Sequence, residues 1–171
     1  MGNVAGLDIS MTATGVAVAR DWDYKMLYSD CLQTNKSEID PELDCILRSM
    51  DPANEIIRVL YEFEVDTCII EAPAYNALIP IKTKRGVVMR MPQRTCQLWQ
   101  FTGAIKNEVM RHWSGEVITV PPTTVKKHIA GNGKADKPDV AKALMERFGV
   151  RFGNYDISDA YALCVWHLDN I

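Results

Sequence analysis

VAGLDISMTATGVAVA, residues 4–19, is the stretch on which the fold turns. Small and β-branched residues dominate it, and polar ones gather only near its middle. Residues 3–10 and 14–20 therefore read as two strands joined by a turn at 11–14, with Gly15 permitting a close backbone approach. YKMLYSDC at 24–31 adds a third strand, making an antiparallel meander. One residue does not suit this pattern. Asp8 is a carboxylate inside an apolar strand, where a charge is costly unless it is paired or bound to a cation.

Working outward, Asp40-Pro41 opens a weakly amphipathic stretch, and residues 41–63 are expected to be helical, with a break at Asp51-Pro52. VDTCIIEA at 65–72 is a short apolar run and reads as a buried central strand ending at Glu71. Residues 73–93 hold three prolines, one glycine and several cations, and are expected to form a long loop. Residues 95–113 fit a helix, with Leu98, Phe101, Thr102, Ile105, Val109 and Trp113 near one face. EVITVPP at 116–122 is another strand, stopped by its prolines. Thr123 is placed to cap a short helix that ends at Gly131, and Pro138 suits the first position of a helix reaching Gly149. A last helix runs from Asp156 to His167. Three antiparallel strands followed by strands alternating with helices imply an α/β fold, a mixed sheet with helices on both faces. Its 171 residues suit one domain, 1–171, without internal repeats.

A composition of 47% hydrophobic and 24% charged residues is that of a soluble globular protein, with no apolar run long enough for a membrane span. Five scattered cysteines without a CxxC pair suggest neither a disulfide framework nor a zinc site, and fit a reducing intracellular compartment. The net charge of −3 hides an asymmetry. Residues 1–81 carry 5 basic and 14 acidic residues, hence −9, whereas 82–171 carry 14 and 8, hence +6. KTKRGVVMRMPQR at 82–94 holds five cations and no acid, and KKHIAGNGKADK at 126–137 is a second basic tract. A polyanion bound on one face suits this distribution.

Four acids carry the chemistry. Glu71 ends a strand where open sheets bind ligands. Asp156 and Asp159 stand three apart at the start of an apolar helix, DISDAYALCVW, and so share a face. Each alone has an ordinary reading as a strand-end or helix-capping charge. Together with Asp8 they read as one site for hard divalent cations, Mg2+ or Mn2+, of the kind that serves phosphodiester hydrolysis.

GLDISMTATGVAVA, CIIEAP, VKKHIAGNGKADKPDVAKALMERFG and DISDAYAL, in this order and spacing, resemble the RuvC family of Holliday-junction endonucleases, which have an RNase H-like fold. The resemblance implies that Asp8, Glu71, Asp156 and Asp159 are the catalytic, metal-binding acids, with two ions per site. It implies that Lys126 and Lys137 lie near the scissile phosphate, although Lys127 beside Lys126 leaves the register open. It further implies a homodimer acting on four-way or branched DNA. Lys82, Lys84, Arg85, Arg90, Arg94, Lys127 and Lys134 are then expected on the DNA-binding face. The family places a base-stacking aromatic soon after its glutamate. Tyr75 stands near that position but one residue out, and the segment after it is longer and more basic than is usual. Leu98, Trp99, Phe101 and Trp113 exceed the needs of one core face and mark 95–113 as a dimer element. Two other readings share these residues: an RNase H-like nuclease acting on flaps or RNA–DNA hybrids, and a non-catalytic junction-binding protein. A kinase of the actin-like fold shares the glycine-rich hairpin, but the chain is too short for its two lobes.

Overall fold

The hairpin of residues 4–19 forms β1 (Asn3–Asp8) and β2 (Ala13–Ala19), paired antiparallel from Val4 opposite Ala19 to Asp8 opposite Gly15. The structure is a computed structural model that describes residues 2–36, 40–73 and 78–171, with the side chains of residues 41 and 42 left out. β3 (Met26–Gln33) pairs antiparallel with β2. α1 (Pro41–Glu62) leads to β4 (Val65–Glu71), which lies parallel to β1. A hairpin, β5 (Ile79–Thr83) and β6 (Gly86–Arg90), precedes α2 (Gln93–His112) and β7 (Glu116–Val120), the latter parallel to β4. α3 (Pro122–Ala130), α4 (Lys137–Phe148) and α5 (Tyr155–Leu168) complete the chain. The main sheet has the order β3-β2-β1-β4-β7, and the β5-β6 hairpin is a separate sheet.

Period-two alternation divides the core between the two faces of the sheet. Ala5, Leu7, Val16, Val18, Cys68 and Ile70 pack against Ile56 and Leu60 of α1 and Phe101, Ile105 and Val109 of α2. Val4, Ala17, Ala19, Ile69 and Val120 pack on the other face against Val125, Val140 and Leu144 and against α5 from Ala160 to Leu168. The mixed sheet with helices on both faces is as expected.

Several boundaries differ from the sequence reading. Residues 73–93 do not remain a loop, since β5 and β6 form within them around a turn at Lys84 and Arg85, closed by Gly86 at φ 125°. The third strand starts at Met26 because Tyr24, at φ 58°, belongs to the preceding turn. α1 continues through Pro52, which is buried on the packed face, so tertiary packing outweighs the missing N–H. Thr123 is not a cap. Pro121 and Pro122 begin α3 instead, their fixed φ already suited to a helix start. α4 starts one residue before Pro138, because Asp136 and Asp139 form a reciprocal capping box. Phe101 and Trp113 belong to the molecule's own core, which leaves Leu98 and Trp99 as the half-exposed apolar residues of that group. Among the described residues, no helix is long and apolar enough to cross a membrane.

Candidate active site

β1 and β4 are parallel neighbours, with Leu7 opposite Ile70. The next residue on each strand is an acid, Asp8 and Glu71, at the carboxyl edge where ligands bind in such sheets. Alternation turns both toward α5, since Val4 and Ile69 of the same strands pack on that face. The first turn of α5 brings Asp156 and Asp159. The Asn154 side chain caps this helix, its Oδ1 accepting from the Asp156 backbone N–H at 2.7 Å.

Two glycines make this approach possible. A Cβ at Gly6 would lie 1.9 Å from the Ala160 carbonyl oxygen, and one at Gly15 would lie 2.1 Å from that of Asp156. The obstacles are helix backbone and cannot swing aside. Gly15→Ala therefore displaces the first turn of α5. We expect a loss of roughly 1–3 kcal/mol in urea unfolding, from overpacking. Wild-type stability in this variant would contradict that packing.

Lys137 joins the acids together. Its Nζ lies 2.6 Å from Asp156 Oδ1, 3.1 Å from Asp159 Oδ2 and 3.4 Å from Asp8 Oδ2. The capping box holds Lys137 at the first position of α4. Lys126 on α3 is half-buried, and its charge acts on Glu71 and Asp159, whereas Lys127 is exposed. The structure thus turns Lys126, of the adjacent pair, toward the acids.

Burial raises the Asp8 carboxyl to about 6, helped by the charges of Asp159 and Asp156 and opposed by Lys137. Burial likewise raises Glu71 to about 8, with Asp8 and Asp159 adding to it against Lys126 and Lys137. Asp159 is raised too, chiefly by burial. Burial works against the charge of Lys137, but the bond to Asp156 and the charges of Asp8 and Asp159 outweigh it and hold the ammonium protonated.

Asp8, Glu71 and Asp159, which resist ionisation, together with Asp156 on the same helix turn as Asp159 are a donor set suited to a hard divalent cation. Asp159 Oδ1 supports that fit, being buried without a hydrogen-bond partner. Among the described residues, no three acidic, histidine or cysteine side chains converge on one point as they stand. Lys137 instead bridges three of the acids.

These shifts give the metal-free chain a pH dependence. Both folded values lie above the ordinary carboxylate range, so the folded state holds more protons than the unfolded one. This contribution is complete below about pH 4 and is lost as pH rises through about 6 for Asp8 and about 8 for Glu71. Glu71→Gln in chelator at pH 8 should be more stable than the wild type by on the order of 2 kcal/mol in urea unfolding. Equal or lower stability would contradict a strained Glu71.

Lys82, Lys84, Arg85 and Arg90 lie on the β5-β6 hairpin, Arg94 in the first turn of α2 and Lys134 between α3 and α4, and all are exposed. Tyr75 lies outside the described residues. Two neighbours of the acids were not anticipated. Asn154 carried a signal, an N-cap residue type just before an apolar helix. Cys31 Sγ, 3.8 Å from Asp156 Oδ2, carried none, because strand pairing alone brings it there.

The sequence pattern of the family described as crossover junction endodeoxyribonuclease RuvC fits residues 4–167. The chain belongs to the RuvC family. The RuvC of Sulfurovum sp. (strain NBC37-1) is 25% identical over 176 residues, covering 99% of this chain and 96% of the relative. The RuvC of Ehrlichia ruminantium (strain Gardel) is 26% identical over 181 residues, covering 99% and 98%. Thermus thermophilus RuvC matches the structure with a TM-score of 0.73 at 20% identity, over 96% of this chain and 92% of the other. The T. thermophilus RuvC in complex with Holliday junction substrate gives 0.72 at 18%, over 98% and 92%. At these identities the structural likeness speaks to the fold, which is the RNase H-like fold of RuvC. The enzyme class that comes with RuvC membership is hydrolysis of DNA phosphodiester bonds.

Proposed function

We propose that this chain is a Mg2+-dependent, structure-selective endonuclease that resolves four-way DNA junctions by paired symmetric nicks. The observation that carries the proposal is the gathering of Asp8, Asp156 and Asp159 around Lys137 at one sheet edge, with Glu71 beside Asp8. These four acids would hold two Mg2+ ions, or Mn2+ in their place. When bound, such ions supply Lewis-acid stabilisation and activation of water for phosphodiester hydrolysis.

The remaining work falls to this chain's own side chains. Lys137 and Lys126 stand among the acids as cations that can neutralise a phosphate brought to the same edge. The Asn154 cap and the close packing at Gly6 and Gly15 fix the acids of α5 against those of the sheet. The basic tracts 82–94 and 126–137 bind the phosphates of the DNA arms, so affinity falls with rising salt.

Two symmetric cuts need two sites, which a two-fold homodimer of this single-domain chain provides. Leu98 and Trp99 of α2 remain half-exposed. α1, packed on α2, exposes Leu43, Ile46, Leu47 and Met50 along one side. We place the dimer contact there.

The test is cleavage of a labelled four-way junction beside linear duplex, flap and RNA–DNA hybrid, with Mg2+ or with EDTA. Metal-dependent paired cuts confined to the junction are expected. Equal cutting of flaps or hybrids would contradict junction selectivity. Tight junction binding without cutting, whichever metal is supplied, would leave a non-catalytic binding protein.

A further inference from the structure

Asp169, just past the end of α5, gathers donors from three other parts of the chain. Its Oδ1 accepts from the Tyr24 hydroxyl at 2.9 Å and from Arg147 Nη2 at 2.6 Å. Its Oδ2 accepts from Arg147 Nη1 at 2.5 Å and from His128 Nε2 at 2.7 Å. The two-pronged bond from Arg147, joined by those from His128 and Tyr24, holds the Asp169 carboxyl well below the usual carboxylate range despite burial. An ionised carboxylate only accepts, so His128 carries its hydrogen on Nε2 whether the ring is neutral or charged. The Asp169 side chain is 12% exposed, and the Arg147 guanidinium lies over the rings of Phe148 and Tyr24. Asp169 is thus an anchor fixed from two sides, and His128 is what it holds on α3.

α3 needs such an anchor. It is nine residues long, has no side-chain cap at its start and fully buries one residue, Val125. Ile129, one turn on, adds a partly buried contact to the same core. A helix this short is marginal alone, and two contacts on one face leave its roll about its own axis weakly fixed. Successive helical residues step about 100° round the axis, so Lys126 lies about 100° to one side of Val125 and His128 about 60° to the other. The bond to Asp169 on one flank therefore resists the roll that would carry Lys126, on the other flank, away from Glu71 and Asp159, the acids on which its charge acts. α4 has other supports, its capping box and buried Val140 and Leu144, so Lys137 does not depend on this cluster.

We propose that His128 and Asp169 are positioning residues for the nuclease reaction. Their hydrogen bond sets the roll of α3 and so keeps Lys126, rather than Lys127, turned toward the acids and the phosphate brought to them. Both act through Lys126. This inference rests on the reading of the chain as a metal-dependent junction nuclease.

The experiment is single-turnover cleavage of a labelled four-way junction by saturating full chain in Mg2+, with junction affinity measured in EDTA. His128→Ala, at an exposed position, should cut roughly fivefold more slowly, the reach of one exposed charge-assisted bond. Its junction affinity should stay within about twofold, because every cation that meets phosphate is kept. His128→Gln, whose amide can still donate to Asp169, should recover most of the rate. Lys126→Ala should cut roughly a hundredfold more slowly. Adding His128→Ala to Lys126→Ala should then cost nothing further, because the tie has no lysine left to aim. This comparison also decides the matter if His128→Ala melts lower than the wild type. Unchanged cleavage by His128→Ala, or the same fivefold loss with and without Lys126, would overturn the positioning role alone. A wild type that cuts no junction with either Mg2+ or Mn2+ would overturn it together with the nuclease reading.

Discussion

Asp8→Asn should yield a protein that binds four-way junctions and does not cut them. Asp8 stands where the two central parallel strands end, within 3.4 Å of Lys137 and beside the three other acids. The amide is nearly the same size, so the fold should hold. It replaces one anionic oxygen with a neutral donor that cannot ligate a hard cation. The expected loss of single-turnover cleavage is at least about a thousandfold, the scale on which preorganised charge stabilisation contributes to a reaction. Junction affinity in EDTA should be equal or slightly tighter, because one negative charge is removed from the DNA-facing edge. Glu71→Gln should behave alike. Cleavage by either variant within tenfold of the wild type would remove that residue from the catalytic set.

Lys137→Met should separate two roles of one cation. The ammonium hydrogen-bonds to or closely approaches oxygens of Asp8, Asp156 and Asp159, the oxygens a divalent ion would use. Lysine and metal therefore compete for the same ligands. Removing the lysine should tighten Mn2+ binding while slowing cleavage by roughly a hundredfold, the usual cost of losing one group that stabilises transition-state charge. Lys137→Arg should recover part of the rate. A variant that binds Mn2+ more weakly and cuts more slowly in the same proportion would make Lys137 a prop for the acids and nothing more.

The parts of this arrangement that were legible in the sequence are those that depend on local periodicity. Small and β-branched residues in 4–19 and the short apolar run at 65–72 marked the strands, and the two-residue alternation of any strand put Asp8 and Glu71 on one face once these paired in parallel. The three-residue spacing of Asp156 and Asp159 needed only a helix. What was missed depends on competition between signals. Residues 79–83 alternate β-branched and other residues, and Val87 and Val88 follow a two-residue turn, which is hairpin grammar, but Pro80, Gly86 and the cations gave the stronger impression of a loop. Pro52 was read as a break because the burial that overrides it is tertiary. Lys126 and Lys127 could not be separated from sequence, because neighbouring helical residues point about 100° apart and only the packing of α3 fixes which one turns inward. Phe101 and Trp113 looked surplus to one core face because the depth of the pocket between α1, α2 and the sheet is not written in α2 itself.

The most direct measurement is calorimetric titration of Mn2+ into the metal-free chain at pH 8, beside Asp8→Asn. Saturable binding by the wild type, lost or strongly weakened in the variant, is the result expected of a carboxylate metal site built on Asp8, Glu71, Asp156 and Asp159. No saturable binding, or binding that Asp8→Asn leaves unchanged, would contradict it.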